Sequence, residues 1–265
     1  MGRVGRSLVI HELLERTRDR WVLVVSVLFA LLSIGTSLYG RGSGGQSIDL
    51  TGPSIVTLIS LLLPLVGGVL GHDAIVGEKE RNTLGLLLSL PVSRAEVIIA
   101  KFIGRLMALA GAVFIGLSGA VLVGGTPLLD VTLNIFGPAI LLGASFLSIG
   151  IFVSSLTTHQ VTAASTVVTL WFLFVFFYDL GLLGALIASD GWLSQEVIGT
   201  LVYANPAGLF RIQMMAHFTG PEVLETLGMT VRLPTLYVVS MIWLGWISIP
   251  LFLSIRILNR SRDLR

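Results

Sequence analysis

Long apolar runs alternate with short polar breaks along this chain, and the run lengths predict helices that cross a membrane. Trp21–Tyr39, Pro53–Gly71, Ile98–Val123, Leu133–Leu156, Val161–Ala188 and Thr235–Leu258 are each long enough, given that about 20 residues span a bilayer core. Pro64 is expected to kink the second run, and Val161–Ala188 is longer than one crossing requires. The breaks are a Gly/Ser-rich loop from Arg41 to Gly52, a short Gly-Thr-Pro loop before the fourth run, and a polar turn at Ser154–Gln160. Ahead of the first run, Val9, Ile10, Leu13 and Leu14 fall at helical spacing among Arg3, Arg6, Glu12, Glu15, Arg16, Arg18, Asp19 and Arg20. That pattern predicts a helix lying along the membrane surface over 1–20, and no cleavable leader is expected there. The fold class is therefore all-α, with six transmembrane helices.

One break differs from the others. Between the second and third runs, His72 to Arg105 holds a dense set of charges, beginning with Glu78-Lys79-Glu80-Arg81. Asn82 or Thr83 is placed to cap a short helix over Thr83–Leu90, which Pro91 discourages from continuing. That helix carries Leu84, Leu86, Leu87, Leu88 and Leu90, so it is short and apolar at a water boundary. Ser93 and Glu96 have capping-box spacing, so a new helix is expected from about Arg94, with Lys101 and Arg105 one turn apart. Such a helix–turn–helix suits docking to another protein.

Composition fixes the class. The chain is 54% hydrophobic and 12% charged, with a mean hydropathy of +0.92, whereas a soluble domain carries about 25% charged residues. Zero cysteines exclude disulfides, thiolate metal sites and thiol catalysis. Six crossings put both termini on one side. Fourteen Lys/Arg then fall on the side of the termini and the loop between spans 2 and 3 with its helix start (to Arg105), against three (Arg41, Arg211, Arg232) on the other. By the positive-inside rule the first side is cytoplasmic, so Ser189–Pro234 is external. Within it, Asn205-Pro206 opens a helix through Met214 and Met215, expected on the outer membrane surface or against a partner.

Candidate chemistry is sparse. No phosphate-binding Gly-x-x-x-x-Gly-Lys-Ser/Thr occurs, and the only lysines are Lys79 and Lys101, so ATP cannot be bound in that manner. Gly116-Leu117-Ser118-Gly119 has the pattern of an intramembrane serine protease nucleophile. However, His72 and His159 are expected at the other rim, and Gly104, Ala108, Gly111 and Gly119 read as packing surface. Glu78 and Glu80 alternate with Lys79 and Arg81, which reads as self-compensated surface charge rather than catalysis. Met214, Met215 and His217 form a soft-ligand candidate set for copper, with ordinary packing as the alternative. Asp179, near the outer end of its run, is either an interfacial acid or part of a gate or pathway.

The stretch Asp73-Ala74-Ile75-Val76-Gly77-Glu78, then Thr83-Leu84, Leu87-Leu88-Ser89-Leu90-Pro91-Val92-Ser93-Arg94 and Lys101-Phe102-Ile103-Gly104, resembles the signature of type-2 ABC transporter permeases. Asn82 stands where that signature commonly has glycine. Within the family, Phe174–Leu183 with Asp179, and Asn205-Pro206 with Arg211, look most like the permease that serves nitrous-oxide-reductase maturation.

The resemblance covers the whole length and implies one transmembrane domain over 1–265. It makes 1–20 an elbow helix, Thr83–Leu90 a coupling helix within a 72–97 cytoplasmic loop, and 189–234 an external segment. Glu78, Glu80, Arg81, Thr83, Leu84, Leu87, Leu88, Pro91, Arg94 and Lys101 would serve coupling to a separate cytoplasmic ATPase subunit, which holds ATP and Mg, while this chain binds no cofactor. Ser154–Gln160 would be a second contact. The implied partners are that ATPase, a second copy of the chain, membrane lipids and a periplasmic accessory protein, with no nucleic acid. The implied place is the plasma membrane with both termini cytoplasmic. The end of span 5 would fold back as a gate. The cargo would concern copper-site assembly. Export of a drug, lipid or ion is the alternative; an intramembrane protease or a non-transporting anchor is the alternative from another class.

Overall fold

The computed structural model describes residues 3–17, 20–42, 47–89, 91–189, 194–219 and 234–260. All regular structure among them is helical. In chain order the elements are α1 (Arg3–Thr17), α2 (Arg20–Gly42), α3 (Ser47–Gly71), α4 (Val76–Glu80), α5 (Leu84–Ser89), α6 (Arg94–Gly124), α7 (Thr126–Leu156) and α8 (Gln160–Phe172). A single π-turn (Leu173–Phe177) leads into α9 (Tyr178–Ala188), followed by α10 (Gln195–Ala204), α11 (Pro206–Thr219) and α12 (Leu236–Arg260). Among the described residues, five helical stretches are long and apolar enough to cross a membrane: Gly52–Glu80, Arg94–Val123, Leu128–Leu156, Gln160–Ala188 and Leu236–Arg260. The expected first crossing falls in α2, of which Ser26–Gly35 is described as a shorter apolar helix.

α7 is the central post, packed by α3, α6 and α12. The α3–α7 crossing is close because glycines face each other. A Cβ on Gly67 would stand 2.6 Å from the Gly143 carbonyl, and one on Gly71 the same distance from the Leu147 carbonyl. Small residues let helix backbones approach where hydrocarbon offers no hydrophobic drive to pack. The Ser148 hydroxyl donates to the Trp246 carbonyl at 2.9 Å, linking α7 to α12. α2 packs on α6, and α1 also lies along α6.

Three boundaries differ from the sequence reading. The Gly-Thr-Pro break shrinks to Gly125 alone, at φ 77°, because Pro127 fits the first turn of α7 and the helix starts at Thr126. α3 starts at Ser47 and continues through both Pro53 and Pro64. Gln160–Ala188 does not fold back within its length: Phe172, Leu173, Phe177 and Tyr178 all keep right-handed helical angles at the α–π–α junctions. α10 lies against α9. α11 then packs on α3 and α7, so the partner expected for this apolar segment is the bundle itself.

Candidate functional site: a buried charge cluster beneath a short apolar helix

The His72–Arg105 stretch folds as a compact platform at one end of the bundle. After α3, the backbone N–H groups of Ile75 and Val76 donate to the Ser154 hydroxyl at 2.9 and 3.0 Å, which seats the start of α4 on the end of α7. Lys79 Nζ donates to the Ser155 and Thr157 carbonyls at 2.9 and 3.0 Å, satisfying acceptors at the α7 C-terminus. Glu80 accepts from the Gln160 backbone N–H at 2.8 Å, at the start of α8. Lys79 and Glu80 thus staple α4 to the α7–α8 turn.

Glu78 faces the other way. It accepts from Lys101 Nζ at 3.0 Å and from the Thr83 hydroxyl. Lys101 also donates to Glu12 at 3.2 Å, and Arg105 Nε donates to Glu12 at 2.6 Å. The same guanidinium donates to Asp73 and to the Leu70 carbonyl, and Arg16 donates to Asp73 at 2.7 Å. Three acids (Glu12, Asp73, Glu78) therefore meet three bases (Arg16, Lys101, Arg105) in one neutral cluster joining α1, the α3–α4 turn, α4 and α6. Arg105 is 1% exposed and Glu12 4%. Gly104 makes the approach possible, since a Cβ there would stand 2.8 Å from that of Glu12.

Burial alone would raise the Glu12 carboxyl pKa; Arg105, Lys101 and Arg16 outweigh it and hold the group below its ordinary value. The expectation that Glu78 and Glu80 neutralise Lys79 and Arg81 is thus replaced: neighbours in sequence point to different helices. Arg81 is exposed and pairs loosely with Glu15 at 3.8 Å.

Asn82 adopts φ 57°, the left-handed conformation that glycine takes freely and asparagine tolerates, which accounts for glycine at this place in the signature. The Thr83 side chain turns back to Glu78 rather than forward into a cap, and α5 begins one residue later than expected; Leu90 lies outside the described residues. Along α5, Leu84 and Leu88 pack against the core, Leu87 is half-buried, and Leu86 is 74% exposed. A cavity of about 270 Å3 lies between α1, α5 and α6, with Leu8, Leu86, Leu87 and Val97 in its wall. Pro91 is exposed at the following turn, and the Ser93–Glu96 capping box forms as expected. Arg94 donates to the Leu258 carbonyl, tying α6 to the end of α12.

At the opposite end, Asp179 is paired with Arg211 of α11. Beside it, Asn205 Nδ2 donates to the Phe174 carbonyl at 2.6 Å, and the Tyr178 hydroxyl donates to the Leu201 carbonyl at 2.6 Å. Met214 is buried in the core whereas Met215 and His217 are exposed, so the three do not converge on one side of α11. Ser118 donates to the Phe114 carbonyl of its own helix. Gly119 packs near Ala30, while Gly111 has nothing within 4 Å.

Sequence reasoning named Lys101 and Glu78 but missed Glu12, Arg16, Asp73 and Arg105 as their partners. The signal was present: two bases one turn apart in an apolar span require acids from elsewhere.

Comparison with known proteins gives the family. Residues 6–263 match the ABC-2 family transporter protein domain. The chain is 37% identical over 219 residues to the probable ABC transporter permease protein NosY of Pseudomonas aeruginosa, covering 78% of this chain and 80% of that protein. It is 35% identical over 266 residues to the probable ABC transporter permease protein NosY of Stutzerimonas stutzeri, covering 94% and 95%.

Proposed function

This chain belongs to the ABC-2 family of transporter proteins, and from that membership we propose how it works as the multi-pass permease subunit of an ABC transporter. α5 is the coupling helix: it seats its exposed Leu86, with Leu87, in a cytoplasmic ATPase subunit that holds ATP and Mg. The observation that carries this reading is the bracing of a short apolar helix on both sides. The charge cluster joins its platform to α1 and α6, and Lys79 with Glu80 joins it to the α7–α8 turn. A push on α5 would therefore reach several spans as one body. In this reading α1 is the elbow helix, α2 completes six crossings, the termini are cytoplasmic in the plasma membrane, and α10–α11 are external.

A second copy completes the pathway. Its support is the α8–α9 span, of which 6% is buried against 78% for the apolar stretch of α7. The exposed face carries the small residues Thr162, Ser165 and Thr169, of the kind that allow close helix–helix approach in a membrane. A role in copper-site maturation of nitrous-oxide reductase, with an external accessory partner, rests on the subgroup resemblance and on relatives that carry the NosY name. Export of a drug, lipid or ion is the competing cargo reading.

Two measurements test the proposal. Leu86→Asp in the complex with its ATPase should abolish co-purification or nucleotide-dependent coupling while the permease stays folded; undiminished assembly and coupling would remove α5 from the motor contact. Deleting the chain from its host should leave nitrous-oxide reductase short of copper; a fully loaded enzyme would favour another cargo.

A further inference from the structure

The polar contacts at the outer end converge on one irregular point. Five residues, Leu173–Phe177, form a π-turn in the middle of the 29-residue span Gln160–Ala188. There the Tyr178 N–H donates to the Leu173 carbonyl five residues back, rather than to Phe174 four back. A π-turn holds one residue more than the α-helix it interrupts and persists only where its surroundings favour it. Here the Asn205 side chain supplies such a partner. The residue is 1% exposed, its amide donates to the Phe174 carbonyl at 2.6 Å, and its oxygen accepts from the Ala207 N–H at 3.1 Å, capping α11.

Phe174 is gripped as well, edge-on to Phe146 of α7 and Trp246 of α12, and Trp246 Nε1 donates to the Ala204 carbonyl next to Asn205. Beyond the turn, Tyr178 and Asp179 are held by Leu201 and Arg211. Gly181 and Gly184 of α9 meet nothing within 4 Å. The outer half of the span is thus positioned mainly by contacts with α10–α11.

We propose that Asn205 is the positioning residue that keeps the outer half of this span in its π-shifted register. Movement of α10–α11 would withdraw the amide, return the turn to α-helix and rotate α9. Losing the extra residue of the turn without shortening the chain rotates everything after it by about 100° and shifts it about 1.5 Å along the axis. A side-chain position on α9 would then swing by about 8 Å. The exposed face of α9 would change, and Asp179 would leave Arg211. Only the transport meaning of this rotation rests on the permease reading; the register itself does not.

The native chain has no cysteine, so a Leu183→Cys/Met241→Cys pair on exposed positions of α9 and α12 accepts spin labels without background from this chain, and labelling it before assembly with the ATPase keeps the signal to these two sites. The ATPase complex in lipid nanodiscs, without nucleotide, is measured by double electron–electron resonance. Asn205→Ser and Asn205→Asp both retain a helix cap but lack the amide donor. Both are expected to shift the label distance by several ångströms at unchanged assembly. Deleting Phe177, an exposed residue of the turn, removes the surplus residue, so it is expected to restore the wild-type distance in the Asn205→Ser background. Wild-type distances in both Asn205 variants overturn the inference, as does a deletion that fails to rescue or adds to the shift. Adding ATP and vanadate to the unsubstituted complex tests the permease reading separately. No response there counts against motor coupling, while the nucleotide-free comparison still decides the role of Asn205.

Discussion

Arg105 Nε donates to Glu12 at 2.6 Å across 93 positions of sequence, inside a site where the arginine is 1% exposed. This bond fixes α1 to the core of the platform. Removing one member of a buried pair strands the other charge and costs about 3–5 kcal/mol. Glu12→Gln or Arg105→Met alone should therefore lower the unfolding midpoint of the detergent-solubilised protein strongly. The Glu12→Gln/Arg105→Met double variant should lose less than the two single losses added together, as a thermodynamic cycle will measure. Strict additivity would mean the two residues do not act as a pair.

The same carboxyl gives a pH dependence with a definite sign. Its folded pKa lies below the ordinary 4.5, so its contribution to stability is complete above that value. As pH falls below 4.5 and through the lowered folded value, Glu12 takes a proton, its bonds to Arg105 and Lys101 weaken, and the contribution is lost. Thermal unfolding between pH 7 and pH 3 should show a decline that is smaller in Glu12→Gln. Equal slopes in the two proteins would put the acid sensitivity elsewhere.

Leu86 and Leu88 stand two residues apart on α5 with opposite surroundings. Leu86→Asp should leave thermal stability nearly unchanged and reduce ATPase association at least tenfold. Leu88→Asp should lower stability by about 2–3 kcal/mol, because Leu88 packs against the core and a carboxylate there has no partner. Titration of the purified ATPase against each variant, alongside melting curves, separates the two effects. If Leu86→Asp is the unstable one, the assigned faces of α5 are reversed.

Ser154→Ala leaves the Ile75 and Val76 N–H groups without their shared acceptor in a buried place. A lost partner for a buried donor costs about 1–3 kcal/mol, and the damage should be local. Hydrogen exchange should rise at residues 75–80 and around the α7–α8 turn while α12 stays protected. Uniform exchange throughout would show that the serine holds nothing in particular.

The sequence made some elements legible because their causes are local. The Ser93–Glu96 box, the run lengths, and the stops around α5 depend on residues within a turn of one another. Boundaries were lost where two local rules competed: Pro127 reads as a loop residue but fits the first turn of a helix, and Pro53 reads as the start of a span but lies inside α3, which begins at Ser47. The π-turn had no signal at all in Leu173-Phe174-Val175-Phe176-Phe177, because its bonding partner is 31 positions away.

From the chain alone came a membrane bundle, its helical segments, a short apolar helix at a polar boundary, and the family signature that spans it. All of these follow from hydropathy, spacing and caps, which act over a few residues. Which charge answers which was decided only in three dimensions. Glu78 ignores its neighbour Lys79 for Lys101, Glu12 crosses to Arg105, and Asn205 reaches Phe174. A buried polar group bonds whatever the packing brings within about 3 Å, and packing is set by the whole bundle rather than by adjacent residues.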